Sequence, residues 1–281
     1  MLSESFRVRY FEASAAPIVL SVPHAGRDYP SELAARLRVP MAAIRPLEDR
    51  FADQLVDPAL TAGVPTIIAY APRLMIDLNR APDDLDPDLV RGGHHRGAHT
   101  SAKARAGLGL IPTRLWGVGA LWRATFDAED VAERLRTVHT PYHEALARAL
   151  AQAKRRWTTA LLIDLHSMPP LGAVDAPDIV IGDRFGSSAG AQITATAETT
   201  LTGLGFRVAI NAPYAGGYII SRHADPRAHV HALQIEVDRR LYLDAALDQP
   251  GPGMKRMQYA LARLIHALHE EMTGGFAAAA E

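Results

Sequence analysis

His24 and His166 are the residues from which chemistry can be built. Each follows an apolar run: Ile18–Val22 (IVLSV) leads through Pro23 to His24, and Ala160–Leu165 (ALLIDL) leads to His166. In open α/β sheets, ligands gather outside the carboxyl ends of strands. Imidazole is neutral near pH 7, so two histidines at strand ends can ligate a divalent metal without first losing a proton. Asp164 lies two residues before His166, on the same side of a strand. It is a candidate to orient the imidazole from behind or to reach the metal itself. A catalytic zinc site usually has three protein ligands. The chain has no cysteine, so a carboxylate is the natural third, and Asp28, Glu48 and Asp49 are the local choices.

Further groups accompany these. Glu236 sits among apolar residues in Leu233-Gln-Ile-Glu-Val237. Burial there would raise its pKa toward the range of a general base; the plain alternative is that Gln234 and Glu236 share a solvent face. Arg73 and the pair Asn79-Arg80 bracket an apolar run, and a guanidinium so placed suits a planar carboxylate. A surface ion pair with Asp83 or Asp84 is the simpler role. Tyr214, Tyr218 and Arg222 surround Pro213-Tyr-Ala-Gly-Gly217, a loop able to cover an anionic ligand or simply to turn a hairpin. His94, His95 and His99 lie in a Gly/Arg-rich stretch and read as solvated. His143 reads as a packed or exposed helix residue.

The elements that must position these groups alternate along the chain. Strands are expected at Phe6–Glu12 (an edge), Pro17–Val22, Thr66–Tyr70, Arg73–Leu78, Ala160–Leu165, Asp178–Ile181, Phe206–Ile210 and Ala232–Val237. Helices are expected at Ser31–Leu37 with Ser31 as N-cap, and at Leu47–Thr61 with Glu48 and Asp49 in its first turn. Others are expected at Ala128–Trp157, kinked or restarted at Thr140-Pro141, at Ser187–Leu204, and at Gly253–Met272. Ala81–Thr113 shows no clear period. This alternation predicts an α/β fold with a largely parallel sheet covered on both faces. One domain over residues 1–281 is expected, with a core from about 17 to 272 and a frayed tail at 273–281.

The chain has 281 residues, 48% hydrophobic and 22% charged, which is ordinary for a globular protein with its own core. The lack of cysteine excludes disulfides and thiolate metal sites. A net charge of −1 gives no electrostatic case for nucleic acid or a membrane surface. The opening residues lack an apolar leader, and no run approaches the ~20 apolar residues that span a bilayer. A soluble cytoplasmic protein acting on a small molecule is the expectation; the oligomeric state is left open.

Six segments in order resemble the N-formylglutamate amidohydrolase family. They are Ser21-Val-Pro-His-Ala-Gly26, Glu48-Asp49, Arg73-Leu-Met-Ile-Asp-Leu-Asn-Arg80 with Pro82, Asp164-Leu-His-Ser167, Pro213-Tyr-Ala-Gly-Gly-Tyr218, and Leu233-Gln-Ile-Glu-Val237 followed by Arg240-Leu-Tyr242. The resemblance implies a three-layer α/β/α fold with a mixed, mostly parallel sheet, akin to zinc carboxypeptidases and aspartoacylases. It implies one Zn²⁺, or another divalent metal, held by His24, Asp49 and His166, with Asp164 behind His166 and Glu48 as the alternate carboxylate. The wider group takes its carboxylate three residues after the first histidine; that position here is Arg27. The resemblance further implies Glu236 as general base. It implies Arg73, Asn79 and Arg80 as grips for a substrate carboxylate, and Tyr218 or Arg222 closing over the rest. The implied reaction is hydrolysis of N-formyl-L-glutamate to formate and L-glutamate, in histidine degradation. The alternatives are a deacylase or carboxypeptidase-like hydrolase of another N-acyl amino acid, and a non-catalytic binder of acidic amino acids. The His- and Arg-rich segment 83–114 departs from the family pattern.

Overall fold

The computed structural model describes residues 4–9, 15–91 and 100–274. His94, His95 and His99 lie outside the described residues, as does the tail from 275 onward. The strands are β1 (Phe6–Arg9), β2 (Ile18–Val22), β3 (Thr66–Ala69), β4 (Arg114–Leu115), β5 (Gly119–Ala120), β6 (Ala160–Met168), β7 (Ile179–Gly182), β8 (Val208–Ile210) and β9 (Val230–Asp238). Seven of them form one sheet in the order β1-β3-β2-β6-β9-β7-β8. β2 pairs in parallel with β3 and β6, β6 with β9, and β7 with β8; β7 and β9 are antiparallel. The sheet is therefore mixed and mostly parallel, as the alternation of elements requires, and helices flank it.

The chain clusters into two compact units. One comprises Val8–Val22, Arg50–Ile68 and Ala145–Glu281 and holds β2, most of β3, and β6 to β9. Every residue of β2 and of β6 is buried, and each opens on an apolar run, Ile18–Leu20 and Ala160–Ile163, as a strand covered on both faces does. Helices Ala191–Gly203 and Met254–Gly274 of this unit pack on each other. The other unit comprises Met1–Arg7, Pro23–Asp49 and Ala69–Glu144. It carries the short β4–β5 pair, a succession of turns over residues 72–80, and a helical stretch beginning at Ala128. No described helix is long and apolar enough to cross a membrane.

Several local expectations are corrected. Residues 73–78 form turns, with Met75 N–H and Ile76 N–H both donating to the Pro72 carbonyl, and not a strand. Leu74, Ile76 and Leu78 are buried nonetheless. The helix expected over 47–61 is broken. A 3₁₀ helix covers Met41–Leu47, Glu48 is extended, and Phe51 is left-handed at φ 58° before short helices at Ala52–Leu55 and Asp57–Thr61. Glu48 and Asp49 thus precede the helices and gain nothing from a first turn. Ser31 is the first residue of its helix; Pro30 holds the cap position without a side-chain bond. The helix expected from Ser187 begins at Ala191. The long helical stretch runs Ala128–Arg134, passes through a π turn over Leu135–His139, and continues through Thr140–Trp157. Thr140 keeps helical angles, so no second helix starts there. Pro141 has no N–H to give, and the π turn immediately before it absorbs that break in the ladder.

Candidate metal centre

β6 extends past the polar residues, so Asp164 and His166 lie within the strand and not beyond its end. In register, Asp164 faces Gln234 and His166 faces Glu236 of β9, while Ser21 of β2 faces Asp164. With the two-residue period of strands, Ser21, Asp164, His166, Gln234 and Glu236 share one face. All five are buried. The solvent-face alternative for Gln234 and Glu236 does not hold. The Ser21 hydroxyl donates to Asp164 Oδ1 at 2.8 Å, and Asp164 Oδ2 accepts from His166 Nε2 at 2.8 Å. Gln234 Nε2 donates to Glu236 Oε1 at 2.8 Å, and Gln234 Oε1 accepts from Gly217 N–H at 2.8 Å. Gln234 therefore ties Glu236 to the loop before helix Tyr218–His223. That loop lies so close to β7 that a Cβ on Gly182 would stand 2.8 Å from the backbone of Ala215 and Gly216.

In the other unit, His24 is 2% exposed. Gly26, two residues on, is dictated by a close approach: a Cβ there would stand 2.4 Å from the carbonyl oxygens of Tyr70 and Ala71. Asp49 N–H donates to the His24 carbonyl at 2.9 Å, and its Oδ2 lies 3.5 Å from His24 Nδ1. Behind His24 stands Asp77, fully buried, whose Oδ1 accepts from His24 Nε2 at 2.8 Å and from Asn79 N–H at 2.9 Å. Asp77 Oδ2 accepts from Arg73 Nε at 2.8 Å and lies 3.9 Å from Arg80 Nε. Burial alone would raise the Asp77 pKa. Arg73, His24 and Arg80 outweigh it and hold the carboxyl well below its usual range.

Each histidine thus gives Nε2–H to a carboxylate, the arrangement that orients metal-ligating imidazoles and fixes their tautomer. A neutral ring then has its lone pair on Nδ1. For His24 that atom faces the Asp49 carboxylate, and two acceptors face to face are what a cation reconciles. One ligand atom each from His24, Asp49 and His166 lies within 4.8 Å of the others, and all three residues are buried; together they could hold a metal ion. Of the other local carboxylates, Asp28 is exposed and Glu48 accepts from the Tyr29 hydroxyl at 2.7 Å.

The substrate-side candidates are placed as follows. Arg80 donates Nε to the Leu108 carbonyl at 2.8 Å and Nη1 to that of Asn79 at 3.1 Å. Arg222 Nη1 donates to the Tyr218 hydroxyl at 2.8 Å on the short helix Tyr218–His223. The turns over 72–80 are held from one helical stretch by three carbonyls. Arg134 Nη1 donates to Met75, His143 Nε2 to Leu78 and His139 Nε2 to Arg80, at 2.7, 3.0 and 2.9 Å. The His139 and His143 rings lie against each other, tilted by 45° with centroids 4.4 Å apart.

Asp77, Gln234, His139 and His223 have roles that were not read from the residues, and His143 is packed, one of the two alternatives read for it. The one usable signal was Asp77 itself, a lone charge inside an apolar run, since a buried charge needs partners. His223 is half-buried; burial and then Arg222 pull its pKa down to about 4, against the opposing pull of Asp164. An unfolded chain protonates this residue near pH ~6.5. The stability it contributes is full above that pH and is lost as pH falls toward 4. His223→Asn should therefore flatten the decline in urea midpoint between pH 7 and 4.5; an unchanged decline would remove His223 as its source.

Residues 16–243 match the family described as N-formylglutamate amidohydrolase. The chain is 30% identical over 241 residues to an N-formylglutamate deformylase of Pseudomonas aeruginosa, covering 83% of this chain and 85% of that one. It is 30% identical over 249 residues to the Pseudomonas putida N-formylglutamate deformylase, covering 85% and 86%. The crystal structure of N-formylglutamate amidohydrolase from Ralstonia eutropha JMP134 superposes with a TM-score of 0.89 at 28% identity, over 96% of this chain and 99% of that one.

Proposed function

Because the chain belongs to the N-formylglutamate amidohydrolase family, we propose that it hydrolyses N-formyl-L-glutamate to formate and L-glutamate, with zinc at His24, Asp49 and His166. The observation that carries the reading is the pair of carboxylate-backed histidines beside Asp49. Two imidazoles and one carboxylate fit catalytic zinc, and fit iron(II) as well. When bound, such a metal polarises the amide carbonyl and lowers the pKa of water.

The chain's own residues supply the rest. Glu236, aimed by Gln234, takes a proton from the attacking water and returns it to the leaving nitrogen. Arg73 and Arg80, oriented through Asp77 and backbone carbonyls, pair with a substrate carboxylate, and Asn79 lies between them in sequence. Tyr218 and Arg222 cover the remaining end. The partner is thus a small anionic substrate, the place of action the cytoplasm, and the product glutamate the end of a histidine-degrading route.

The deciding assay measures formate release from N-formyl-L-glutamate by metal-reconstituted protein, against N-acetyl-glutamate and N-formyl-aspartate. No formate release, or faster release of acetate, would overturn the substrate. His166→Ala should purify with a small fraction of the wild-type metal by elemental analysis, and undiminished metal would remove His166 as a ligand. His139→Phe should raise KM roughly 3–10-fold with little change in kcat, because one hydrogen bond holding the Arg80 backbone is lost. A fall in kcat at constant KM would sink this positioning role.

A further inference from the structure

We propose that the unit containing Arg134 carries a second ligand site, a cavity of about 490 Å³ that takes an apolar organic monocarboxylate on the Arg134 guanidinium. The volume falls in the range of small-molecule sites. Arg134 is 7% exposed, and its hydrogen bond is one Nη1–H to the Met75 carbonyl. Its Cζ lies 4.5 Å from the Phe126 ring centroid, with the Arg36 Cζ 3.9 Å from the same ring. Among the described residues no carboxylate oxygen lies within 4 Å of it.

Two of the three acidic residues lining the cavity are already engaged. Asp130 pairs with Arg36 at 3.0 Å, and Glu133 pairs with Arg136. Burial and the neighbouring Arg36 bring the Arg134 pKa down to about 10, so its charge is held at a cost. A guanidinium presents five N–H donors in a planar fork, and one carbonyl uses one of them. A ligand carboxylate would meet that fork and neutralise a buried cation.

The ligand's class follows from the remaining walls. Pro30, Leu33, Met75 and Val138 present apolar surface. Glu32, Asp130 and Glu133 also line the cavity and would repel a second negative charge. A monoanion with an apolar body satisfies both. None of the lining residues is a proposed metal ligand or Glu236, so the site does not depend on the reading of the metal centre.

Benzoate is the probe, titrated by saturation-transfer NMR into wild-type protein, Arg134→Met, Leu33→Trp and Arg80→Ala. One saturable site is expected, weakened at least tenfold by Arg134→Met and by Leu33→Trp, which fills the cavity. Arg80→Ala should keep wild-type affinity, and inorganic phosphate should not displace the probe. Intermolecular NOEs from the benzoate ring to the Leu33 and Val138 methyls should be seen in the wild type. The proposal is overturned by absence of saturable binding or of those NOEs, or by wild-type affinity in either cavity variant. It is equally overturned by loss of binding in Arg80→Ala or by displacement with phosphate. Should Arg134→Met fail to fold, Leu33→Trp and the NOEs decide.

Discussion

Glu236→Gln should lower kcat for formyl-amide hydrolysis by about 10²–10⁴-fold while metal content stays at the wild-type level. The glutamine has the shape of the glutamate, and its carbonyl can accept from Gln234 Nε2 as Glu236 Oε1 does at 2.8 Å. Strand β9 is buried around it and loses no packing. What disappears is the capacity to take a proton. Elemental analysis and steady-state kinetics on one preparation separate the two effects. Turnover within a few-fold of wild type would show that the proton goes elsewhere, and loss of metal would show that Glu236 helps to hold the ion.

The second large effect is expected at Asp77. Asp77→Asn removes the charge that holds Arg73 beside it, lies near Arg80 and fixes the His24 tautomer. Metal affinity should fall about 10–100-fold, as when the carboxylate behind a ligating histidine is lost. Global stability should fall by about 3–5 kcal/mol, because breaking a buried pair leaves uncompensated charge. Chelator competition and urea unfolding read the two quantities. The pH dependence gives a further check. The folded carboxyl is held below its ordinary value, so its contribution is fully present above pH ~3.9 and is lost as pH falls through the folded value. The variant should lack that acid-side loss; an identical acid limb in both proteins would mean the coupling is absent.

How much of this was legible depends on where each element finds its hydrogen-bond partners. β2 and β6 announce themselves by the apolar runs Ile18–Leu20 and Ala160–Ile163, as strands buried on both faces do, while β9 alternates apolar residues with Gln234 and Glu236. Residues 73–78 have nearly the same composition, yet their carbonyls at Met75 and Leu78 are taken by side chains of a distant helix instead of a neighbouring strand. No local pattern encodes that. Residue type left Asp28, Glu48 and Asp49 open and only the family resemblance favoured Asp49, because its geometry rests on an extended Glu48 and a left-handed Phe51, which interrupt an otherwise helical period. Asp77 stayed hidden because its partner His24 is 53 residues away. Gln234 was open to a solvent face or a buried one until the register placed it beside Asp164.

The π turn at Leu135–His139 has a consequence for how this chain tolerates changes in length. Arg134 before the turn and His139 and His143 at or after it hold three carbonyls of one loop. A π turn adds a residue to an α-helical frame, and an α-helix advances about 100° per residue. The turn therefore acts as a phase setter between two sets of anchors. Deleting one residue there would restore a regular helix without removing a functional side chain. It would swing the Arg134 guanidinium about 100° out of phase with the two imidazoles, so that one set of anchors must release its carbonyls. The segment should thus accept many substitutions on its exposed positions and very few insertions or deletions.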